Sequence, residues 1–231
     1  MPSNTDTKTV TFTVSREQRE AGRMDDFEVP CDAYTTVLDG LEYIRTRIDS
    51  TLMYRHSCHH GSCGTCGMII NGEKLLACTT NVFSLEADTV VVRPLPQFEA
   101  IGDLVVDPGS LFTDFPARAD YRRASEYNAD ARVPDEIEAY ERFENCIECG
   151  LCVSACPVTS NWMGPAALAA WNRELEKNPE RREDTLDSVD VDRGVWSCAR
   201  HLRCSAVCPT GVYPARHIAV LKRAAAARRE E

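Results

Sequence analysis

The sequence predicts an α+β protein in which a β-rich N-terminal domain, residues 1–105, precedes an all-α domain, residues 106–231. Three observations lead to this prediction. Short segments with alternating apolar and polar residues recur before residue 94, whereas helical spacing dominates after residue 134. Eleven of the twelve cysteines are grouped in runs, one in the first part of the chain and two in the second. A length of 231 residues suffices for two separate cores.

The N-terminal part reads as five short strands and one helix. Residues 8–16 alternate apolar and polar side chains, and residues 27–31 would pair with them as a hairpin. Thr36 is placed to cap a helix over residues 37–48. Three further strands are expected at residues 68–71, 74–77 and 89–93, the first two joined through Asn71-Gly72. This arrangement, with a cysteine-bearing loop, looks like a β-grasp domain.

The first cysteine run has the spacing of a plant-type [2Fe–2S] ferredoxin. Cys58-x4-Cys63-x2-Cys66 is followed by Cys78, and glycines in the loop let the backbone approach an inorganic core. A structural zinc site is the alternative. Such sites usually contain two Cys-x2-Cys pairs, and here only Cys63 and Cys66 form one. His59 and His60 are expected to lie at the rim of this site or to face a partner, with ligation of the metal as the alternative.

The second and third runs resemble bacterial ferredoxins, in which the fourth cysteine of each run binds the other cluster. Applied here, this rule predicts a [4Fe–4S] site formed by Cys146, Cys149, Cys152 and Cys208. The rule leaves three thiolates for the other site, those of Cys156, Cys198 and Cys204. Three ligands suit a [3Fe–4S] cluster. His201 stands where a fourth cysteine would be, so imidazole ligation of a fourth iron is the alternative. Cys31 lies outside every run and is expected to be a small buried apolar residue.

The rest of the second part is expected to be helical. Residues 94–134 have weak periodicity and five prolines, which indicates a linker with short helical turns. Helices are predicted at residues 134–146, 166–177 and 214–227.

Composition excludes several kinds of partner. A net charge of −10 argues against nucleic acid and against direct attachment to an anionic membrane surface. The first residues lack a signal peptide's apolar segment, and no run approaches the roughly 18 apolar residues of a membrane span. In a reducing compartment, cysteines grouped in this way are expected to bind metal rather than form disulfides.

With three cluster motifs in this order, the chain resembles the iron–sulfur subunit of succinate dehydrogenase and fumarate reductase over nearly its full length. The stretches that carry the resemblance are residues 55–68, 71–78, 101–107, 146–157, 164–166 and 194–198. Gly164-Pro-Ala-Ala and Gly194-Val-Trp-Ser-Cys look nearer to the fumarate reductase side, which points weakly to a menaquinone-like acceptor.

The resemblance implies an electron-transfer subunit of a succinate:quinone oxidoreductase. Its partners would be a flavoprotein subunit with FAD, where substrate chemistry occurs, and hydrophobic membrane-anchor subunits at the cytoplasmic face of the membrane. Electrons would pass through the [2Fe–2S], [4Fe–4S] and [3Fe–4S] clusters to a quinone. Pro157, Trp162 and Lys222 are the expected quinone contacts.

Two stretches depart from the pattern of relatives that use ubiquinone. Those relatives carry a Trp-Trp pair shortly after the Cys-Pro, where this chain has Asn161-Trp162, and a histidine where it has Ala199. Alternatives are therefore a stand-alone multi-cluster ferredoxin, an electron-transfer subunit of a different flavoprotein reductase, or a zinc-binding interaction module.

Overall fold

The computed structural model describes residues 7–16, 22–116, 145–158 and 161–230. The chain divides into two compact units. The first consists of Met1–Ser110 together with Ile147–Ser154, and the second of Leu111–Cys146 and Ala155–Glu231. The limits expected from the sequence, 1–105 and 106–231, stay a prediction.

A mixed five-stranded sheet forms the first unit. Its strands are β1 (Lys8–Ser15), β2 (Met24–Cys31), β3 (Gly67–Ile70), β4 (Glu73–Leu76) and β5 (Thr89–Arg93). Their order is β2-β1-β5-β3-β4, in which β1 and β5 run parallel and every other neighbouring pair is antiparallel. Apolar side chains that alternate along β1, as predicted, are fully buried. Cys31 ends β2 and is also buried, which confirms that it behaves as a small core residue.

One helix, α1 (Val37–Tyr43), packs closely on this sheet. Thr36 caps it as expected, and Asp39 completes a reciprocal capping box; the helix continues as one π-helical turn over Ile44–Ile48. A Cβ at Gly40 would overlap the ring of Phe12 on β1, so glycine at this position permits the close approach of helix and sheet.

A buried arginine ties the end of β1 to two distant segments. The Arg16 side chain is fully buried, and its guanidinium pairs with Asp49 at 2.8 Å and with the equally buried Asp103 at 3.3 Å. Asp103 also accepts a hydrogen bond from the Met53 backbone amide. It lies between β6 (Ala100–Gly102) and β7 (Val105–Val106), a short hairpin within the stretch expected to be a linker.

The second unit is helical. Its main described helices are α3 (Gly164–Lys177), α4 (Arg182–Val189) and α6 (Pro214–Glu230), with α5 (Arg203–Ala206) as a single turn. The short helix α2 (Leu151–Ala155) precedes them in the chain. Leu168 of α3, Leu186 of α4, and Ile218 and Leu221 of α6 share one buried core.

The structure thus confirms the coarse fold class: the first part of the chain contains a sheet, and the second part is helical. The predicted helix over 166–177 is present, whereas α4 was not predicted. The helix expected over 134–146 lies largely outside the described residues. Within the described ranges, none of the helices combines the length and apolar character that a bilayer crossing requires.

Candidate metal centres

The loop of residues 58–66 turns backbone amides towards two cysteine sulfurs. The amides of Ser62 and Cys63 donate to Cys58 Sγ at 3.2 and 3.3 Å, and the amide of Gly61 donates to Cys78 Sγ at 3.3 Å. Left-handed φ angles at His59, Gly61 and Gly64 bend the chain into this shape. Successive amides in such turns form concavities that bind anions, including iron–sulfur clusters.

Electrostatics distinguish the thiols of this loop. Hydrogen bonds from the backbone amides of His60, Ser62 and Cys63 lower the pKa of the Cys58 thiol to about 6. Burial raises the pKa of Cys66 to about 12. The same amide donors that stabilise a thiolate also stabilise cluster sulfur, so the loop suits an iron–sulfur group.

Two glycines of this region contact the segment that begins at Ile147. A Cβ placed on Gly64 would overlap the Ile147 carbonyl and would lie 2.9 Å from Cys149 Cβ. One placed on Gly67 would lie 2.9 Å from the Cys149 carbonyl oxygen. The backbone that carries Cys63 and Cys66 therefore packs directly against the backbone that carries Cys149, because neither glycine has a side chain.

The histidines near the first loop are accounted for by local hydrogen bonds. His60 Nδ1 lies 2.5 Å from the Cys58 carbonyl oxygen, and His56 Nδ1 lies 3.1 Å from His59 Nε2. His59 and His60 are exposed. Their predicted place at the rim, or facing a partner, stays a prediction.

Three cysteines of the second unit lie close together. Cys156, Cys198 and Cys204 line one small cavity. Burial, and after it the neighbouring Cys156 and Cys198 thiols, raise the pKa of Cys204 to about 11. Burial likewise raises the pKa of Cys156. The crossing-over rule places the same three residues together, and His201 also lines the cavity.

The second and third cysteine runs share one backbone conformation. Glu148 and Gly150 in the first of these runs have φ angles of 55° and 76°. Two positions in the other run, Arg200 and Leu202, have φ angles of 58° and 62°. In each run these two residues lie on either side of the second predicted ligand position. The repeat is therefore seen in the backbone conformation as well as in the sequence.

The predicted [4Fe–4S] ligands fall on two described segments. Cys146 and Cys208 pack against the same small core of Ala169, Ala170 and Val212, and the Val212 amide donates to Cys208 Sγ at 3.3 Å. Cys149 and Cys152 belong to the segment Ile147–Ser154, which packs with the first unit.

The expected quinone contacts fall in two neighbouring cavities. Pro157 and Trp162 line the small cavity with the three cysteines, and Lys222 lines a separate groove of about 420 Å³. Lys222 Nζ lies 3.4 Å from the Cys198 carbonyl oxygen, to which it donates, and 5.4 Å from the centroid of the Trp196 ring. The groove therefore adjoins the backbone of the three-cysteine site.

Trp196 is a wall of this groove that the sequence reasoning missed. Its indole Nε1 donates to Asp190 at 2.6 Å, and the Arg229 guanidinium lies 4.4 Å from its ring centroid. Hydrogen bonds from Arg229 and then from Trp196 and Arg228 lower the pKa of Asp190 to about 2. The motif Gly194-Val-Trp-Ser-Cys198 places this tryptophan two residues before a predicted ligand, but it did not show which surface the ring would line.

The donor groups fit iron–sulfur clusters. Within the described ranges, no three cysteine, histidine or carboxylate side chains converge tightly enough to share a single metal ion. An iron–sulfur cluster instead distributes its thiolate ligands over two or more irons, so the sulfurs are spread across the cluster. Loops that donate backbone amides to thiols match that requirement, and none of the twelve cysteines, all of which lie in the described residues, forms a disulfide.

Comparison with known proteins agrees with this geometry. Residues 10–113 match the family model of a 2Fe-2S iron–sulfur cluster binding domain, and residues 142–212 match that of a 4Fe-4S dicluster domain. The fumarate reductase iron–sulfur subunit of Mycobacterium tuberculosis is 36% identical over 221 residues, which is 89% of this chain and 88% of that protein. This chain belongs to the fumarate reductase and succinate dehydrogenase iron–sulfur subunit family.

Other family members support the same placement. The fumarate reductase iron–sulfur subunit of Escherichia coli is 35% identical over 197 residues, covering 82% of this chain and 80% of that protein. A chain of the Mycobacterium smegmatis Sdh1 complex in the apo form has the same fold, with a TM-score of 0.78 at 24% identity over 97% of this chain and 98% of that one. The resemblance expected from the motifs is thereby confirmed.

Proposed function

We propose that this chain carries single electrons between the FAD of a flavoprotein subunit and a membrane quinone, as the iron–sulfur subunit of a succinate:quinone oxidoreductase. The observation that carries the proposal is the grouping of eleven cysteines into three sets, of which the last has a histidine at one ligand position. Bound clusters would supply one-electron steps between a two-electron flavin and a quinone.

Each thiol set has a proposed occupant. Cys58, Cys63, Cys66 and Cys78 would hold [2Fe–2S] in a β-grasp domain, a placement supported by the amides that face Cys58 and Cys78. A [4Fe–4S] cluster would be held by Cys146, Cys149, Cys152 and Cys208. A [3Fe–4S] cluster would be held by Cys156, Cys198 and Cys204, which is supported by the shared cavity of these three residues.

The groove beside the three-cysteine site is the proposed quinone contact. Lys222 would donate a hydrogen bond to a quinone carbonyl from a position already fixed by the Cys198 carbonyl and the Trp196 ring. Apolar atoms of Ile218 and Ala219 line the same groove, which suits the ring of a menaquinone-like molecule. Pro157 and Trp162 would act from the cysteine side.

The proposed partners follow from family membership. A flavoprotein subunit with FAD would carry the substrate chemistry, and hydrophobic anchor subunits would hold the complex at the cytoplasmic face of the membrane. The two relatives compared above are both named fumarate reductase iron–sulfur subunits, which favours that side of the family.

A redox-poised EPR titration of the purified complex tests the proposal. We expect three distinct signals, including a [3Fe–4S] signal in the oxidised state, and co-purification of a flavoprotein. Changing Lys222→Met should raise the KM for quinone and leave the three signals in place. The control Lys74→Met, on β4, should change neither the KM nor the signals. A chain that purifies alone with its clusters would instead support a stand-alone ferredoxin, and a colourless iron-free chain would support a zinc module.

A further inference from the structure

The sulfurs of the first cysteine loop differ in the groups that donate hydrogen bonds to them. Backbone amides donate to Cys58 Sγ and to Cys78 Sγ. Within the described part of the chain, no backbone amide donates to Cys63 Sγ in this way. A side-chain hydroxyl stands at this sulfur instead, because Thr65 Oγ1 lies 3.2 Å from it.

The position of the Thr65 hydroxyl follows from the turn that carries it. Gly64 has a left-handed φ angle of 72°, and the Gly67 amide donates to the Gly64 carbonyl oxygen at 3.3 Å, which closes a turn around Thr65. A short hydroxyl side chain reaches groups two residues away in the chain. The β-branch of threonine restricts χ1, so holding the hydroxyl against the sulfur costs little rotamer freedom.

Metal binding would fix the direction of this hydrogen bond. Between the free groups, either the Cys63 thiol or the Thr65 hydroxyl can donate. A metal ligand is the thiolate, which has lost its proton. The hydroxyl is then the donor, and a hydroxyl that donates to an anionic sulfur forms a charge-assisted hydrogen bond. The contact therefore stabilises negative charge on this side of the site.

We infer that Thr65 sets the reduction potential of the first cluster by donating a hydrogen bond to Cys63 Sγ. Reduction adds an electron to a group that is already anionic, so a donor on one of its sulfurs stabilises the reduced state more than the oxidised state. Hydrogen bonds to the sulfurs are one of the levers that set cluster potentials. The inference rests on the proposed ligation of [2Fe–2S] by Cys63, through which Thr65 acts as a positioning residue.

A second threonine of the same site provides a matched control. Thr79 follows Cys78 directly, and its methyl group lies 3.0 Å from where a Cβ on Gly61 would be, so it adjoins the cysteine loop. Its hydroxyl donates to the Leu76 carbonyl oxygen at 3.4 Å rather than to a sulfur. Removing this hydroxyl therefore changes a threonine beside the first site without removing a donor from a ligand.

A looser form of the arrangement occurs beside Cys208. Thr210 again follows the cysteine by two residues, and its hydroxyl lies 3.8 Å from Cys208 Sγ. That sulfur also accepts a hydrogen bond from the Val212 amide at 3.3 Å. Since Cys208 is assigned to the [4Fe–4S] site, a change at Thr210 serves as a control for the potential of the first cluster.

An EPR-monitored redox titration of the purified complex tests the inference. Thr65→Val keeps the β-branch and removes the hydroxyl. We expect the equilibrium constant for one-electron reduction of [2Fe–2S] to fall about three- to tenfold. This lowers its midpoint potential by about 30–60 mV, because a tenfold change corresponds to about 59 mV for one electron. Thr65→Ser, which restores a hydroxyl, should recover most of the shift.

Further variants and a second readout locate the effect at this hydroxyl. Thr65→Ala, which is smaller than either threonine or valine, should lower the midpoint potential in the same direction as Thr65→Val. Thr79→Val and Thr210→Val should leave the [2Fe–2S] midpoint potential unchanged. In the reduced complex after exchange into D2O, electron–nuclear double resonance should detect an exchangeable proton coupling that is absent from Thr65→Val and present in Thr79→Val.

Three results would overturn the inference. They are an unchanged [2Fe–2S] midpoint potential in both Thr65→Val and Thr65→Ala, an equal shift in Thr79→Val, and no recovery in Thr65→Ser. Absence of a [2Fe–2S] signal from the unmodified complex would instead refute the proposed ligation, and the inference with it. Iron content and visible circular dichroism of every variant establish that the cluster is intact, so that a shift reports on the hydrogen bond.

Discussion

His201 occupies in the last cysteine run the place that Cys149 occupies in the run before it. The residues on either side have matching left-handed φ angles, 55° and 76° around Cys149 and 58° and 62° around His201. The main chain at His201 therefore resembles that at Cys149, and under the proposed assignment the side chain would decide how many irons the site accepts.

Changing His201→Cys should convert the three-iron site into a four-iron site. A thiolate at this position completes four ligands on a backbone of the right conformation. EPR of the oxidised complex should lose most of its [3Fe–4S] signal and gain a [4Fe–4S] signal on reduction. Ala199→Cys adds a thiol two residues away and should leave the three-iron signal in place; loss of that signal in both variants would contradict the register.

Cys58 should be the most reactive thiol of the first loop in the cluster-free chain. Its pKa of about 6 leaves it mostly ionised at neutral pH, whereas burial holds Cys66, at about 12, protonated. Iodoacetamide labelling of Cys58 should slow roughly tenfold between pH 7 and pH 5, because the thiolate is the nucleophile. Mass spectrometry of timed samples provides the rates.

A control in urea should remove the difference, since the amides of His60, Ser62 and Cys63 no longer face the sulfur. If Cys66 were labelled as fast as Cys58 in the native chain, the loop would not have the described shape in solution.

Replacing Arg16 with methionine should destabilise the first unit by about 3–5 kcal/mol, because the change leaves the buried Asp103 carboxylate without its cation. The midpoint of urea unfolding, followed by circular dichroism, measures the effect. Arg93→Met removes an exposed arginine from the end of β5 and should change stability by no more than about 0.5 kcal/mol. A similar small loss at Arg16 would mean that Asp103 finds another partner.

Gly64→Ala should lower the yield of the first cluster, and Gly72→Ala should not. Both glycines have left-handed φ angles, 72° and 88°, so both substitutions carry the same backbone penalty of about 1–2 kcal/mol. Only at Gly64 does the added Cβ meet neighbours, the Ile147 carbonyl and Cys149; nothing lies within 4 Å at Gly72. Iron content and visible circular dichroism of the two variants compare the outcomes, and equal yields would show that the close packing is dispensable.

Local signals in the sequence predicted much of the fold. Thr36 fixed the start of α1 through a cap, and Asn71-Gly72, with φ angles of 47° and 88°, fixed the turn between β3 and β4. Gly164-Pro165 and Asn178-Pro179 bounded α3. Each of these signals depends on the conformational preferences of a few adjacent residues, which are present in the sequence itself.

Features that depend on distant contacts were not predictable. Nothing in the sequence distinguishes Arg16 from the other charged residues. Its burial becomes evident only from its ion pairs with Asp49 and Asp103, which are distant in the chain. Helix α4 buries only two apolar side chains, Leu186 and Val189, so its periodicity was too weak to notice; its Asp187 pairs with Arg228, 41 residues away. The hairpin of β6 and β7 is shorter than any window in which alternation can be recognised.

The packing of Ile147–Ser154 with the first unit has a consequence for biogenesis. The ribosome releases Met1–Ser110 well before this segment, and N-terminal parts of a chain generally fold first. The backbone that carries Cys149 and Cys152 therefore emerges when Gly64 and Gly67 can already offer a surface for it. Cofactor loading of the nascent subunit would then proceed from the N-terminus, and a defect in the earliest loop would delay maturation of thiols synthesised some eighty residues later.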